Sequence, residues 1–210
     1  MKKYAKPIAA FVMLAVVLIG CSKDPLRDMT EDESRIYITN RDSTVSFTSF
    51  KTFSISDSVA VISNNQLAGR ERTQFDQRIV EAVTNEMTSK GYTLVQRDAD
   101  PDLGINVSRL YNSSTGIISY PNYWGGYYDY YDPFYWGYPG YGYAFPNYGV
   151  YQITEGALSI DVLNFKDAEQ SKTIKGIWNG LVRGSGVFVS ANAPNHVRAL
   201  FDQSPYLRAN

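Results

Sequence analysis

The chain has 210 residues, 44% of them hydrophobic, with 20 basic and 21 acidic side chains and a net charge of −1. That length fits one domain of ordinary size plus extensions, and the balanced charge argues against a dedicated nucleic-acid binder, which concentrates Lys and Arg. A single Cys and a single His exclude an internal disulfide framework and multi-cysteine metal sites. They also leave little material for a histidine metal centre. We expect neither metal nor cofactor.

Residues 1–20 read as an export signal. Lys2, Lys3 and Lys6 form a basic start, and Ile8 to Ile19 is an uncharged run of 12 residues. A membrane-spanning helix needs about 20 apolar residues, so this run is too short to be one. It ends in Leu18-Ile19-Gly20-Cys21, which resembles the lipobox of bacterial lipoproteins. That resemblance implies a diacylglycerol on the Cys21 thiol and cleavage after the small Gly20. Two or three acyl chains, at about 0.8 kcal/mol per buried methylene, anchor a protein permanently. Removing Lys2, Lys3 and Lys6 leaves 17 basic against 21 acidic residues, or −4. With Cys21 lipidated the mature chain has no thiol for catalysis.

Residues 21–35 read as the lipidated N-terminus and a tether. Ser22 to Thr44 places ten charged residues in 23 positions and offers few large apolar groups, too few to drive folding. Ser22 stands where many enterobacterial lipoproteins retained in the inner membrane carry Asp. The acidic Glu31-Asp32-Glu33 run resembles the surface-export signals of Bacteroidota lipoproteins. The expected address is therefore the outer membrane, on its periplasmic or surface side.

One domain is expected over residues 36–206. Ile36-Tyr37-Ile38 is β-prone, and Val45 to Ile55 favours strand with a break near Ser49. Arg70 to Lys90 is the clearest helix: Phe75, Ile79, Ala82, Val83 and Met87 share a face, and Gly91 follows as a C-cap. Tyr92 to Gln96 and Leu103 to Leu110 are short strands separated by the Asp98-Ala99-Asp100-Pro101-Asp102 turn. In the second of these, Leu103, Ile105 and Val107 alternate with Gly104 and Asn106, which predicts one buried face. Gly156 to Phe165 alternates likewise through Leu158, Ile160 and Val162, leaving Asp161 towards water. Thr173 to Val182 is a strand around Trp178, and Pro194 opens a last short helix with Val197, Leu200 and Phe201. This order predicts an α+β fold in two layers: a mostly antiparallel sheet with two helices on one face, interrupted by a long Tyr/Gly-rich insertion.

Phe47-x-x-Phe50-Lys51-Thr52-Phe53, Lys90-Gly91-Tyr92, Pro101-Asp102-Leu103, Gly156-x-Leu158-x-Ile160-Asp161 and Trp178-x-Gly180 follow one another behind the lipobox. In that order they resemble domain-of-unknown-function family 4136, small envelope lipoproteins of Gram-negative bacteria, over about Ile36 to Tyr206. The chain departs from the family at its end, with Ser204-Pro205-Tyr206 where the family tends to have Tyr-Pro. The resemblance implies a fold and an address; it implies no activity.

The insertion spans residues 111–151. Within it, Tyr120 to Tyr151 holds 12 Tyr, 2 Trp, 2 Phe, 6 Gly and 4 Pro in 32 residues. Gly and Pro at this density argue against regular helix or strand, while the aromatic half of the segment argues against a solvated coil. Three readings stay open: a satellite core folded onto the sheet, an exposed binding surface, or a self-associating tract. As a binding surface its leading contact rings are Tyr123, Trp124, Tyr128, Tyr131, Trp136 and Tyr138, and flat rings with a polar tip suit a glycan or an envelope protein. No Lys or Arg occurs in the 56 residues from Leu110 to Phe165, so nothing there neutralises phosphate and nucleic acid is not expected.

No catalytic set stands out, and we expect no enzyme. A glycosidase needs two carboxylates flanking the bond; Asp129, Asp132, Glu155 and Asp161 are present, but the first two read as turn residues. His196 has no Cys or Ser partner and reads as a surface histidine. Arg183-Gly184-Ser185-Gly186 lacks the spacing and Lys of a phosphate loop. The 98–102 turn lacks the Gly and distal Glu of an EF-hand. The expectation is a lipid-anchored binding module or, alternatively, a structural envelope lipoprotein whose aromatic loop is internal packing. Sequence leaves the oligomeric state open.

Overall fold

The computed structural model describes residues 30, 33–63, 66–111, 117–119, 135–144, 150–152 and 156–210. The export signal, Cys21, most of the tether, and Tyr123, Trp124, Tyr128 and Tyr131 lie outside these residues. The chain divides after Ser34, and Arg35–Asn210 carries the fold. Among the described residues no helix is long and apolar enough to cross a membrane.

Among the described residues eleven strands run in chain order: β1 (Ile36–Arg41), β2 (Thr52–Ile55), β3 (Val59–Ser63), β4 (Gln66–Glu71), β5 (Thr93–Leu94), β6 (Leu103–Tyr111), β7 (Ile117–Ser119), β8 (Gly142–Ala144), β9 (Val150–Gln152), β10 (Ala157–Asn164) and β11 (Thr173–Arg183). The α-helices among the described residues are α1 (Gln74–Ser89), α2 (Ala168–Ser171) and α3 (Ala193–Asp202). Nine strands form one open, mostly antiparallel sheet along the path β1-β11-β10-β6-β2-β5. β2 and β3 lie end to end on one edge of β6, both parallel to it, at Leu103–Ile105 and Ser108–Tyr111 respectively. β1 and β8 share the outer edge of β11 in the same way, β1 antiparallel and β8 parallel. β7 and β9 pair separately.

The sheet is an α+β layer with α1 and α3 on one face, as the periodicity predicts. Phe75, Ile79, Val83 and Met87 of α1 and Val197, Leu200 and Phe201 of α3 pack on Leu158, Ile160, Val162 and Trp178. The Trp178 indole N–H donates to Ser204 Oγ at 2.9 Å, which ties the end of the chain to the sheet. α1 begins at Thr73, whose backbone N–H donates to Asp76 Oδ2 at 2.7 Å while Asp76 N–H donates back to Thr73 Oγ1. This reciprocal cap satisfies two of the amides that a helix start leaves open. At the other end Gly91 sits at φ +91°, and the amides of Gly91 and Tyr92 donate to the carbonyls of Thr88 and Met87. That is a Schellman ending, and the left-handed residue it needs is the glycine.

Several boundaries differ from expectation. The helix starts at Gln74 rather than Arg70 because Arg70 and Glu71 end the second strand of the β3–β4 hairpin, to which the sequence reading assigned no element. Phe47–Ser49 is a single 3-10 turn rather than strand. β6 and β10 are buried on both faces, not one, because a second layer covers the back of the sheet. Ala60, Ile62, Leu110, Trp136, Leu163, Phe165, Ala168, Ile174 and Leu181 make up that layer, with α2 beside them. The insertion also holds strand, against expectation. β8 fits between Pro139 and Pro146, where the backbone is free to pair with β11.

Candidate functional site

The second face explains a residue that sequence placed at the surface. Asp161 does not face water: it is 0% exposed, because β10 is an interior strand covered on both sides. Its register partners are Asn106 on β6 and Asn179 on β11. Asn179 Nδ2 donates to Asp161 Oδ1 at 2.7 Å and to Ser159 Oγ at 2.9 Å. Asn106 Nδ2 donates to Ser108 Oγ at 3.0 Å. A row of buried polar side chains therefore crosses three strands, and it is an acceptable interior only because its members bond one another.

Beside this row the insertion meets the sheet. Trp136 lies edge-on to Tyr135, with ring centroids 5.0 Å apart, and packs on Phe165 at 5.1 Å. Tyr138 packs on Phe165 at 5.2 Å and on Tyr141 at 5.2 Å. Phe165 is the hub, and Gly104 makes room for it: a Cβ there would lie 2.1 Å from Phe165 Cζ. Gly137 and Gly140, at φ +84° and +79°, turn the chain between the rings. Trp136 is thus 5% exposed and is a packing residue, which corrects its place among the free contact rings. Tyr138 is half-buried, and burial, reinforced by Asp100 and Glu169, pushes its hydroxyl above the ordinary tyrosine range.

Tyr135, which sequence did not single out, sits at a cleft. The cleft holds about 440 Å³ and is bounded by Asp57, Gln96, Arg97, Asp98 and Tyr135 over a floor of Ser54 and Ile55. The guanidinium carbons of Arg70 and Arg97 lie 4.8 Å and 4.6 Å from the centre of the Tyr135 ring. The Tyr135 hydroxyl donates to Asp57 Oδ1 at 3.5 Å. Arg70 is held from behind, donating from Nε to Ser58 Oγ at 3.0 Å and from Nη2 to Ser58 O at 2.8 Å and to Ser56 Oγ. Arg97, Gln96, Asp98 and Asp57 are exposed. The site draws on the β2–β3 junction, β4, the turn after β5 and the insertion, four separated stretches whose proximity no local pattern reveals. The available signal was the triplet Tyr123-Trp124-Gly125 repeated as Tyr135-Trp136-Gly137, and the reading took from it Trp136 instead of its neighbour.

Arg109, His196 and Asp102 bind other parts of the fold. Arg109 pairs with Asp76, Nε to Oδ1 at 3.0 Å, and with Glu71. Desolvation works against the charged form of Arg109, but Glu71 and Asp76 outweigh it and hold the guanidinium charged. His196 is fully buried, on the same helix face as Ala193 and Leu200, and its Nδ1 bonds the Tyr37 hydroxyl at 2.9 Å; the surface expectation fails because α3 turns that face to the sheet. Asp102 Oδ2 accepts from the amides of Lys51 and Thr52 at 2.7 and 3.2 Å, so the 98–102 turn pins the start of β2. Among the described residues no group of three or more His, Cys, Asp or Glu side chains is arranged to hold a metal ion.

A helix layer on a mostly antiparallel sheet whose reverse side is closed by an aromatic loop defines a small α+β domain. The chain belongs to the family described as Domain of unknown function (DUF4136), whose model matches residues 38–206. A solved DUF4136 family protein from Bacteroides thetaiotaomicron is 28% identical, with a TM-score of 0.68 over 83% of this chain and 98% of that one. Weaker likenesses are a PDZ domain protein from Parabacteroides distasonis (22% identity, TM-score 0.43, 85% of this chain and 41% of that one) and a PelC dodecamer from Paraburkholderia phytofirmans (7%, 0.39, 84% and 98%). No curated protein matches.

Proposed function

We propose that this chain is a lipid-anchored protein of the bacterial cell envelope, held through Cys21, that binds a glycan with its aromatic insertion. The observation that supports binding is the fixed seat of Tyr135. Trp136 and Tyr138 nail the insertion to Phe165, and this holds Tyr135 at an open polar cleft. A ring whose position is set in advance loses little freedom on binding. Tyr135 replaces Trp136 among the proposed contacts, and Tyr123, Trp124, Tyr128 and Tyr131 remain with it. The buried Trp136 favours a second reading, in which the loop is packing and has no ligand.

Co-sedimentation of the mature chain with insoluble envelope polysaccharides separates the two. Retention should fall at least tenfold for Tyr135→Ala, with unchanged circular dichroism. Retention that is absent in the wild type, or equal in the two proteins, overturns the binding role.

A further inference from the structure

We infer that the cleft beside Tyr135 is a saccharide subsite selective for an uncharged sugar ring, with Arg97 and Asp57 as its specificity-determining residues. The inference rests on the glycan-binding reading above and adds the place and charge of the ligand. The volume of about 440 Å³ falls in the range of about 300–1,000 Å³ that small ligands occupy.

The lining decides the class of ligand. Among the described residues Ile55 is the single aliphatic side chain that bounds the cleft, and they offer no seat for an acyl chain or for the apolar side chains of a peptide. What the cleft offers is hydrogen bonding. Asp57 and Asp98 accept, Arg97 donates, and Gln96 does both. A sugar hydroxyl also does both, and neighbouring hydroxyls can bridge a carboxylate on one side and a guanidinium on the other. Arg97 spends none of its five N–H groups on the described residues, yet it is not loose, because its guanidinium rests 4.6 Å from the Tyr135 ring centre. A donor fork held in place but unspent is what a ligand oxygen needs.

Charge then narrows the class. Among the described residues Asp57, Asp98 and Arg97 line the cleft and the Arg70 guanidinium lies against the Tyr135 ring that bounds it, so two guanidiniums balance two carboxylates around that ring. An acidic sugar would bring its carboxylate against Asp57 and Asp98 and lose hydration with no net attraction in return; an amino sugar would meet the guanidiniums likewise. A neutral pyranose meets no such opposition.

The test uses calorimetry of the mature chain with neutral tetrasaccharides of the gluco, galacto, manno and N-acetylgluco series. Each is paired with its 6-oxidised uronate and its 2-amino counterpart. A neutral member should bind at least tenfold more tightly than either charged form, and Arg97→Ala should weaken it at least tenfold. Asp57→Asn should raise uronate affinity relative to neutral sugar, a shift in selectivity that loss of fold cannot produce. Equal binding of neutral and charged forms overturns the charge selectivity and leaves the glycan reading standing. Binding untouched by either variant places the ligand elsewhere and overturns this subsite. If no saccharide binds at millimolar concentration, both readings fall.

Discussion

Gly104 and Gly180 let large rings lie where a side chain would otherwise stand. A Cβ on Gly180 would approach Trp178 Cη2 to 2.5 Å and Leu200 Cδ1 to 2.9 Å. The Trp178-x-Gly180 pattern is thus one packing unit, an indole folded along its own strand over the residue two places on. The pattern was visible in sequence; its reason needed the ring position. Tyr92 shows the same limit. It closes the helix signature, but its role is to bury a hydroxyl that donates to the Phe47 carbonyl at 3.2 Å. Burial raises its pKa above the ordinary value of 10.0. Below that value both folded and unfolded chains keep the proton and stability is full. Above it the unfolded chain ionises first, so stability falls as pH rises, by about 1.4 kcal/mol per unit at the limit. Tyr92→Phe should cost about 0.5–1.5 kcal/mol at neutral pH through the lost hydrogen bond. In return it should flatten the decline of the melting temperature between pH 9 and 11, which thermal melts across that range would detect.

Among the elements, α1 was the most legible. Its apolar residues recur at helical spacing, and all of Phe75, Ile79, Val83 and Met87 reach the core. Ile79→Asp places a lone charge where exposure is 0%, at a cost of about 3–5 kcal/mol against a typical total of about 5–15. Ile79→Val should cost about 0.5–1.5 kcal/mol, and urea titration of both variants measures the contrast. The strands were harder to read. Val59 to Ile62 is a β-prone run whose pairing with β4 was overlooked, and β6 and β10 alternate as if one face met water. Alternation in them separates two kinds of interior: aliphatic towards the helices, and polar around Asp161 towards the second layer. A polar residue at every second position does not distinguish solvent from a satisfied buried network.

At the scale of the molecule, sequence conveyed the layer architecture because periodicity and caps are local signals. The cleft was beyond it, since its walls come together only when β2, β4, the turn after β5 and the insertion are in place. The lipobox, conversely, is a purely local signal. Metabolic labelling with a fatty-acid probe should mark the wild-type chain and fail on Cys21→Ala; labelling that persists in the variant would refute the anchor.

The seating of Phe165 on Gly104 has a consequence for descent. The stretch between Ser119 and Tyr135 leaves from a paired strand and arrives beside Trp136, whose ring packs on that phenylalanine. Lineages can therefore vary this stretch while inheriting one chassis. Related chains should preserve the small residue at 104 together with the ring at 165, and vary most freely between Ser119 and Tyr135.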